Sequence, residues 1–260
     1  MNDPLLNTRN LSKDFSGFSA IQGIDFSLTS GQVKGIMGPN GAGKSTFLKL
    51  LSGELQPTDG EIWLKGETIT ESGVEQVSRA GVSYLPQRPR LFRSLTVREN
   101  LTGAAQTGQL LDVSGVRETV ESLMELVGLK WSADKRAGEL PGGDGRLLDL
   151  AMALGTRPEV LLADEPTAGI DETSAGRIVQ LLSDLSRPSS DEKFRFEGMV
   201  FVEHDMSVLD DLADEIGLLK EGKLLAEGEP EQLRQSETFR HYANNHRTSG
   251  DHYGNLFTNA

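Results

Sequence analysis

The 260-residue chain contains no cysteine. That absence excludes disulfides, thiolate metal sites and a cysteine nucleophile. No stretch approaches 18 consecutive apolar residues, so no membrane-spanning helix is expected. The first residues, MNDPLLNTRN, lack a basic segment followed by an apolar one, so no secretory signal is read. Positive charge is scarce: 26 Lys and Arg stand against 39 Asp and Glu, for a formal net charge of −13. Such a chain is a poor candidate for wrapping nucleic acid, which needs Lys and Arg to displace counterions. There is no internal repeat and no low-complexity tract. What remains is a chain expected to be soluble and intracellular, docking from outside the bilayer if it serves a membrane process. Its hydrophobic fraction of 37% suffices for a substantial core. Its length suits one compound α/β domain with an inserted subdomain.

Residues 5–36 read as short strands and turns: LLNTRNLSKDF, AIQGIDFSLTSGQ and VKGIM. Ile24, Phe26 and Leu28 alternate with polar residues, as on a half-buried strand. A glycine-rich loop follows VKGIM. Then Phe47, Leu48, Leu50 and Leu51 recur at helical spacing and Gly53 stops them. LQPTDGEIWLKGETIT (55–70) suggests a hairpin, with a Pro–Asp–Gly turn region ahead of alternating Ile62 and Leu64. VSYLPQ (82–87) reads as another strand, ended by Pro86. From about 88 to 155 the strand signals fade. Thr96 and Glu99 have the spacing of a capping box. Val116, Val120, Leu123, Met124 and Val127 mark an amphipathic helix closed by Gly128. This stretch is expected to be a helical insertion. EVLLADEP and GMVFVEHD are short apolar runs ended by acids, the pattern of buried parallel strands with polar chemistry at their carboxyl ends. RPSSDEKFRFEG (187–198) is expected as a surface loop, and the residues after about 244 as a disordered polar tail.

The strongest motif is GPNGAGKST (38–46), which satisfies G-x-x-x-x-G-K-[ST] with Gly38, Gly43, Lys44 and Ser45. It follows a predicted strand and opens a predicted helix, the context its chemistry requires. Glycines let the N–H groups of Gly38, Pro39–Ala42 and Gly43 (proline excepted) fold around phosphate oxygens, and the helix N-terminus adds a positive dipole. Lys44 is placed for the β- and γ-phosphates, Ser45 for Mg²⁺, with Thr46 beside it. A chance glycine turn before a helix is the competing account.

VLLADEP delivers Asp164 and Glu165 at the end of a buried strand. In a P-loop NTPase the first acid holds Mg²⁺ and the second orients or deprotonates an attacking water. Alone, acids capping a strand are a weak signal; with a P-loop in the chain they gain weight. His204 ends VFVEH in the same manner, and parallel strands bring such ends to one edge of the sheet. That predicts a γ-phosphate contact, against the commoner structural histidine. Gln87, ending VSYLPQ where the insertion begins, is expected at the same edge as a catalytic and metal-facing residue alongside Ser45 and Asp164, where by itself it reads equally as an ordinary surface glutamine.

These features, with LPGGDGR (140–146) and AGID (168–171), occur in an order and spacing that resemble the nucleotide-binding subunits of ABC transporters over the chain to about 243. The resemblance implies an α/β P-loop NTPase core of ABC ATPase type, with an antiparallel β-subdomain and an inserted α-helical subdomain. It divides the chain into a core (1–87 and 156–243), a helical lobe (88–155) and a tail (244–260). It implies ATP and Mg²⁺ as cofactors. Phe15 becomes a stacking platform for adenine, where the residue alone reads as a core or hairpin aromatic. It also implies that Gly142, Gly143 and Asp171 serve the ATP of a second ATPase subunit in a head-to-tail dimer. Integral membrane permeases are the further partners, with the chain peripheral on the inner face of the cell membrane. Leu91, Phe92 and Leu95 would then line a permease groove, or else form the core of the helical lobe.

The usual signature of that family begins Leu-Ser-Gly-Gly-Gln; here Pro141 and Asp144 stand at the serine and glutamine places, and Gly145 follows. Proline offers neither hydroxyl nor N–H. Loss of one such donor costs about 2.7–4 kcal/mol in other enzymes. Asp144 is expected to cap a helix over 145–155. Proline and an acid at these places are similar to members of the branched-chain amino acid uptake branch. GVSYLPQRPRLFRSLTVRENL and VFVEHDMSVL resemble that branch and the related urea/amide and lipopolysaccharide-export ATPases. The implied function is a motor for uptake of branched-chain or hydrophobic amino acids or amides such as urea. The alternatives are a lipopolysaccharide-export ATPase and a regulatory or asymmetric subunit with weak turnover. A ribosome- or DNA-acting ABC protein usually carries two cassettes in one chain or a long coiled-coil insertion; neither is seen here, and the charge is unfavourable.

Overall fold

The computed structural model describes residues 3–108, 112–187 and 192–246. Among the described residues, ten strands form two sheets. β1 (Leu6–Phe15), β2 (Phe18–Leu28), β4 (Asp59–Leu64) and β5 (Glu67–Thr68) make an antiparallel sheet in the order β2-β1-β4-β5. The second sheet runs β10-β9-β3-β8-β7-β6. It comprises β3 (Val33–Met37), β6 (Val82–Leu85), β7 (Val160–Asp164), β8 (Gly198–Val202), β9 (Glu215–Lys220) and β10 (Lys223–Gly228). All its pairings are parallel except β9 with β10.

The central strands are apolar on both faces because both faces are covered. Along β7, Val160 and Leu162 join one core cluster with the antiparallel sheet and α1 (Lys44–Leu51), while Leu161 and Ala163 join the other. Along β8, Val200 and Val202 face the first cluster and Met199 and Phe201 the second. The second cluster includes α3 (Val97–Gly108), α4 (Val113–Leu126), α5 (Gly142–Gly155), α6 (Glu172–Ser186) and α7 (Met206–Leu212). α2 (Val74–Arg79) lies before β6, and α8 (Pro230–Gln235) and α9 (Glu237–His246) follow β10.

The expected helix around Val116–Val127 forms as α4, capped by Asp112 and left at Gly128 (φ +70°). The capping box forms too: Glu99 accepts from the Thr96 backbone and Thr96 Oγ1 accepts from Glu99 N. Three expectations are corrected. The 55–70 hairpin turns at Lys65–Gly66, whose φ angles of +51° and +80° suit a two-residue hairpin turn, and Asp59–Gly60 begins β4 instead. The 187–198 segment is not only surface: Phe194 and Phe196 are buried. α5 starts at Gly142, with Pro141 at its cap position, so Asp144 is inside the first turn and caps nothing. Proline is pre-set for that extended cap, and an acid in the first turn still complements the helix dipole. A further hairpin joins β9 to β10 at Glu221–Gly222, whose φ angles are +51° and +77°. The tail expected from 244 begins inside α9, which runs to His246, and from 247 onward it lies outside the described residues.

Candidate functional site

Four neighbouring parallel strands end at one edge: β3 leads into Gly38–Thr46, β6 into Gln87, β7 into Asp164–Glu165, and β8 into His204. The loop after β3 needs glycine at two points. A Cβ on Gly38 (φ +153°) would lie 2.0 Å from Leu219 O, and one on Gly43 (φ +105°) 2.5 Å from Ala20 O. Lys44, buried, donates to the carbonyls of Gly38 (2.8 Å) and Pro39 (3.0 Å).

A cavity of about 440 Å³ opens over this loop. Asn40, Gly41, Gly43, Lys44, Ser45 and Thr46 form its floor, and Phe15, Gln87 and Glu165 its walls. Phe15 is thus exposed at the cavity and not buried in a core. Phe18 and Ala20 also line it, a contribution the sequence did not signal because the β1–β2 hairpin folds it there. Gly38, Pro39 and Ala42 shape the loop without lining the cavity.

Glu165 sits at the centre of a chain of contacts. Gln87 Nε2 donates to its Oε2 (2.5 Å), and His204 Nε2 lies 3.0 Å from its Oε1. The hydrogen bond to His204 holds its pKa below the ordinary carboxylate value, with the Gln87 bond and the charge of Lys44 adding to the effect. Its backbone is left-handed (φ +45°), which costs a non-glycine residue on the order of 1–3 kcal/mol.

Asp164 points to an adjoining cavity shared with Ser45, Lys49, Tyr84, Gln87 and Arg90. Burial raises its pKa, opposed by the hydroxyls of Ser45 and Tyr84. Tyr84 donates to Oδ2 (3.1 Å), while Oδ1 is buried with no hydrogen-bond partner. That orphaned oxygen beside the Ser45 hydroxyl fits a hard divalent cation with oxygen ligands. Among the described residues no three His, Cys, Asp or Glu side chains gather as a metal cage, so such a cation would draw further ligands from phosphate and water.

The structure does not bring Gly142, Gly143 or Asp171 to this cavity. They form a second place. Asp171 caps α6, accepting from Ser174 N (3.0 Å) and Oγ (2.7 Å). A Cβ on Gly143 would lie 2.0 Å from that Ser174 Oγ, so glycine there lets α5 approach α6. A Cβ on Gly142 would meet nothing within 4 Å. In the helical lobe, Phe92 (62% exposed) and Leu95 (39%) lie at the surface, while Leu91 packs against the core. The core account therefore holds for Leu91 and not for Phe92 or Leu95.

Two site-forming residues went unassigned in the sequence. Arg146 ends the glycine-rich LPGGDGR motif and is 1% exposed. Glu203 precedes His204 and is buried, with its pKa raised by that burial. The only sequence cue to Arg146 was Asp149 one helical turn on, its ion-pair partner at 3.2 Å.

Residues 21–168 match the family described as ABC transporter. The chain is 32% identical over 250 residues to "High-affinity branched-chain amino acid transport ATP-binding protein LivG" of Escherichia coli K12, covering 91% of this chain and 96% of that one. It is 30% identical to "Lipopolysaccharide export system ATP-binding protein LptB" of Haemophilus influenzae, covering 90% and 94%. A third relative is "Putative ribose/galactose/methyl galactoside import ATP-binding protein 1" of Rhizobium meliloti, at 32% identity over 84% of this chain. The chain spans 42% of that relative's length. Among solved structures, the ADP conformation of an ATP-binding cassette of an ABC transporter aligns with a TM-score of 0.78 at 26% identity, over 92% of this chain and 98% of that chain.

Proposed function

The chain belongs to the ABC transporter family as an ATP-binding subunit and ATPase, and from that premise we propose that it powers uptake of branched-chain or hydrophobic amino acids or of related amides such as urea. The LivG relative supports the solute class, and the ribose and lipopolysaccharide relatives mark its competitors. The proposed organisation is a core of residues 1–87 and 156–243 around a helical lobe of 88–155. Two such subunits would meet head to tail beneath membrane permeases at the inner face of the cell membrane. No helix among the described residues is long and apolar enough to cross a membrane. Phe92 and Leu95 are the proposed permease contacts.

The observation that carries the site reading is the Gln87–Glu165–His204 chain at the mouth of the loop cavity. In this reading adenine stacks on Phe15, and the loop N–H groups and Lys44 hold the phosphates. Glu165, kept ionised by its partners, accepts a proton or hydrogen bond from the attacking water. His204 and Gln87 fix its direction and meet the γ-phosphate. Ser45, Asp164 and Gln87 would hold Mg²⁺, which neutralises phosphate charge when bound. Gly142, Gly143 and Asp171 face the partner's nucleotide, consistent with the open side of Gly142.

Steady-state ATP hydrolysis by the purified chain, compared with Glu165→Gln, tests the motor reading; turnover is expected to fall at least about 10²-fold in the variant. Equal rates in the two would end it. Cells lacking the chain should lose uptake of radiolabelled leucine or urea; undiminished uptake of both removes the solute assignment.

A further inference from the structure

The left-handed backbone of Glu165 has no glycine to make it easy, so the surroundings must hold it. Two buried ions meet the chain on either side of this residue. Arg146, the fifth residue of α5, is the largest fully buried side chain described. Its guanidinium has five N–H donors, and each finds an acceptor. Nε donates to Pro166 O (2.9 Å), and Nη2 to Asp164 O and Glu165 O (3.1 Å each). Nη1 donates to Pro86 O and to Asp149 Oδ2 (3.2 Å). Three consecutive carbonyls, 164 to 166, therefore lie on one cation, together with the carbonyl just ahead of Gln87.

Glu203 takes the next residue. Its Oε1 accepts from Thr167 N (3.1 Å) and Thr167 Oγ1 (2.5 Å), and its Oε2 from His204 N (3.2 Å). Burying two charges to fill space would be a poor choice, because apolar residues of similar volume usually serve stability as well or better. The cation on the carbonyls and the anion on the following N–H fix the segment's direction, which apolar contacts cannot do.

We propose that Arg146 and Glu203 are positioning residues that hold Glu165 in its left-handed conformation and aim its carboxylate at Gln87 and His204. Through Arg146 the helix that presents Gly142 and Gly143 to a second subunit is tied to the catalytic carboxylate of its own subunit. That last link rests on the two-subunit reading above. A movement of α5 on engaging the partner's nucleotide shifts the anchor of the carbonyls at 86 and 164–166, and so reaches the home site without crossing its nucleotide.

The test uses the full chain with Arg146→Lys, Arg146→Gln and Glu203→Gln. Lysine keeps the charge but has three donors and no planar fork. In Arg146→Lys, kcat should fall about 10²-fold from misaligned reacting groups. Affinity for a fluorescent ATP analogue should change by no more than about threefold, the split expected when binding groups are intact. Hydrogen exchange read on peptides covering 164–168 should accelerate in Arg146→Gln and Glu203→Gln while β7 and β8 keep their protection. The exchange arm needs no hydrolysis, so an inactive wild type would sink the motor reading and leave the clamp readable. Unchanged exchange at 164–168 in both variants overturns the proposal. Parallel loss of protection across β7, β8 and 164–168 also overturns it, since that marks ions needed only for core stability. So does full kcat in Arg146→Lys. If Arg146→Gln fails to fold, kcat in Arg146→Lys and exchange in Glu203→Gln decide between the same outcomes.

Discussion

The turn ahead of α1 and the turn ahead of α5 both place glycines before a helix N-terminus. In the first, Gly43 occupies the cap with φ +105°, and the helix opens with Lys44, Ser45 and Thr46, all lining the cavity that Phe15 borders. In the second, Pro141 occupies the cap, no side chain caps the helix, and Gly142 faces open space. The first loop is tightened by the chain's own carbonyls at Ala20 and Leu219; the second is tightened only at Gly143, by Ser174. One glycine turn thus floors a cavity lined by residues of its own chain. The other lines neither the cavity over the first loop nor the one beside Asp164, and ties its flank to Glu165 through Arg146.

The comparison breaks most visibly by adding one methyl to each loop. Gly38→Ala should cost about 3 kcal/mol in urea unfolding and abolish ATP binding, because the new Cβ meets Leu219 O and φ is unsuitable. Gly142→Ala should leave stability within about 0.5 kcal/mol and ATP binding by the single chain intact, yet reduce hydrolysis in the assembled dimer. Large destabilisation by Gly142→Ala would show that the second loop is an internal turn after all. A smaller effect is expected at Pro141. Pro141→Ser restores a hydroxyl and an N–H, and should raise dimer turnover by about tenfold, less than a full oxyanion donor supplies. No gain would place the slow step elsewhere.

A pH effect separates the flanks of the two helices. Burial pushes Asp149 on α5 up to about 6, with Arg146 opposing the shift. The folded protein therefore keeps a proton there that the unfolded chain has released. That stabilisation is full below about pH 4 and is lost as pH rises through about 6. The slope is at most about 1.4 kcal/mol per pH unit. Asp149→Asn should flatten this decline in urea midpoints measured between pH 4 and 7; an unchanged slope would remove Asp149 as its source. Glu165 works in the other sense: its lowered pKa contributes stability that is lost as pH falls through the folded value.

Much of the site was legible because its parts are local. VKGIM before GPNGAGKST states strand, glycine-rich loop and helix in one continuous run, and LLAD and MVFV declare buried strands by composition alone. What escaped had no local signature. Phe194 and Phe196 are single aromatics in a polar segment without a period, so their burial came only from packing against the second core cluster. The turn at Lys65–Gly66 was passed over because Pro57, Asp59 and Gly60 offered a louder turn signal; pairing of β4 with β1 drew Asp59 and Gly60 into the strand. Arg146 and Glu203 look like ordinary charged residues beside a motif.

The sequence by itself determined the glycine-rich loop between strand and helix, the acids at the ends of buried strands and the division into strand-rich and helical stretches. These follow from backbone freedom at glycine and from the period of apolar residues, both properties of neighbours in the chain. Only the tertiary structure decided that Gln87 and His204 converge on Glu165, and that one guanidinium gathers the carbonyls of residues 86, 164, 165 and 166. Those meetings depend on the order β3-β8-β7-β6 in the sheet. A buried ion is tolerable only where such distant groups supply all its partners at once.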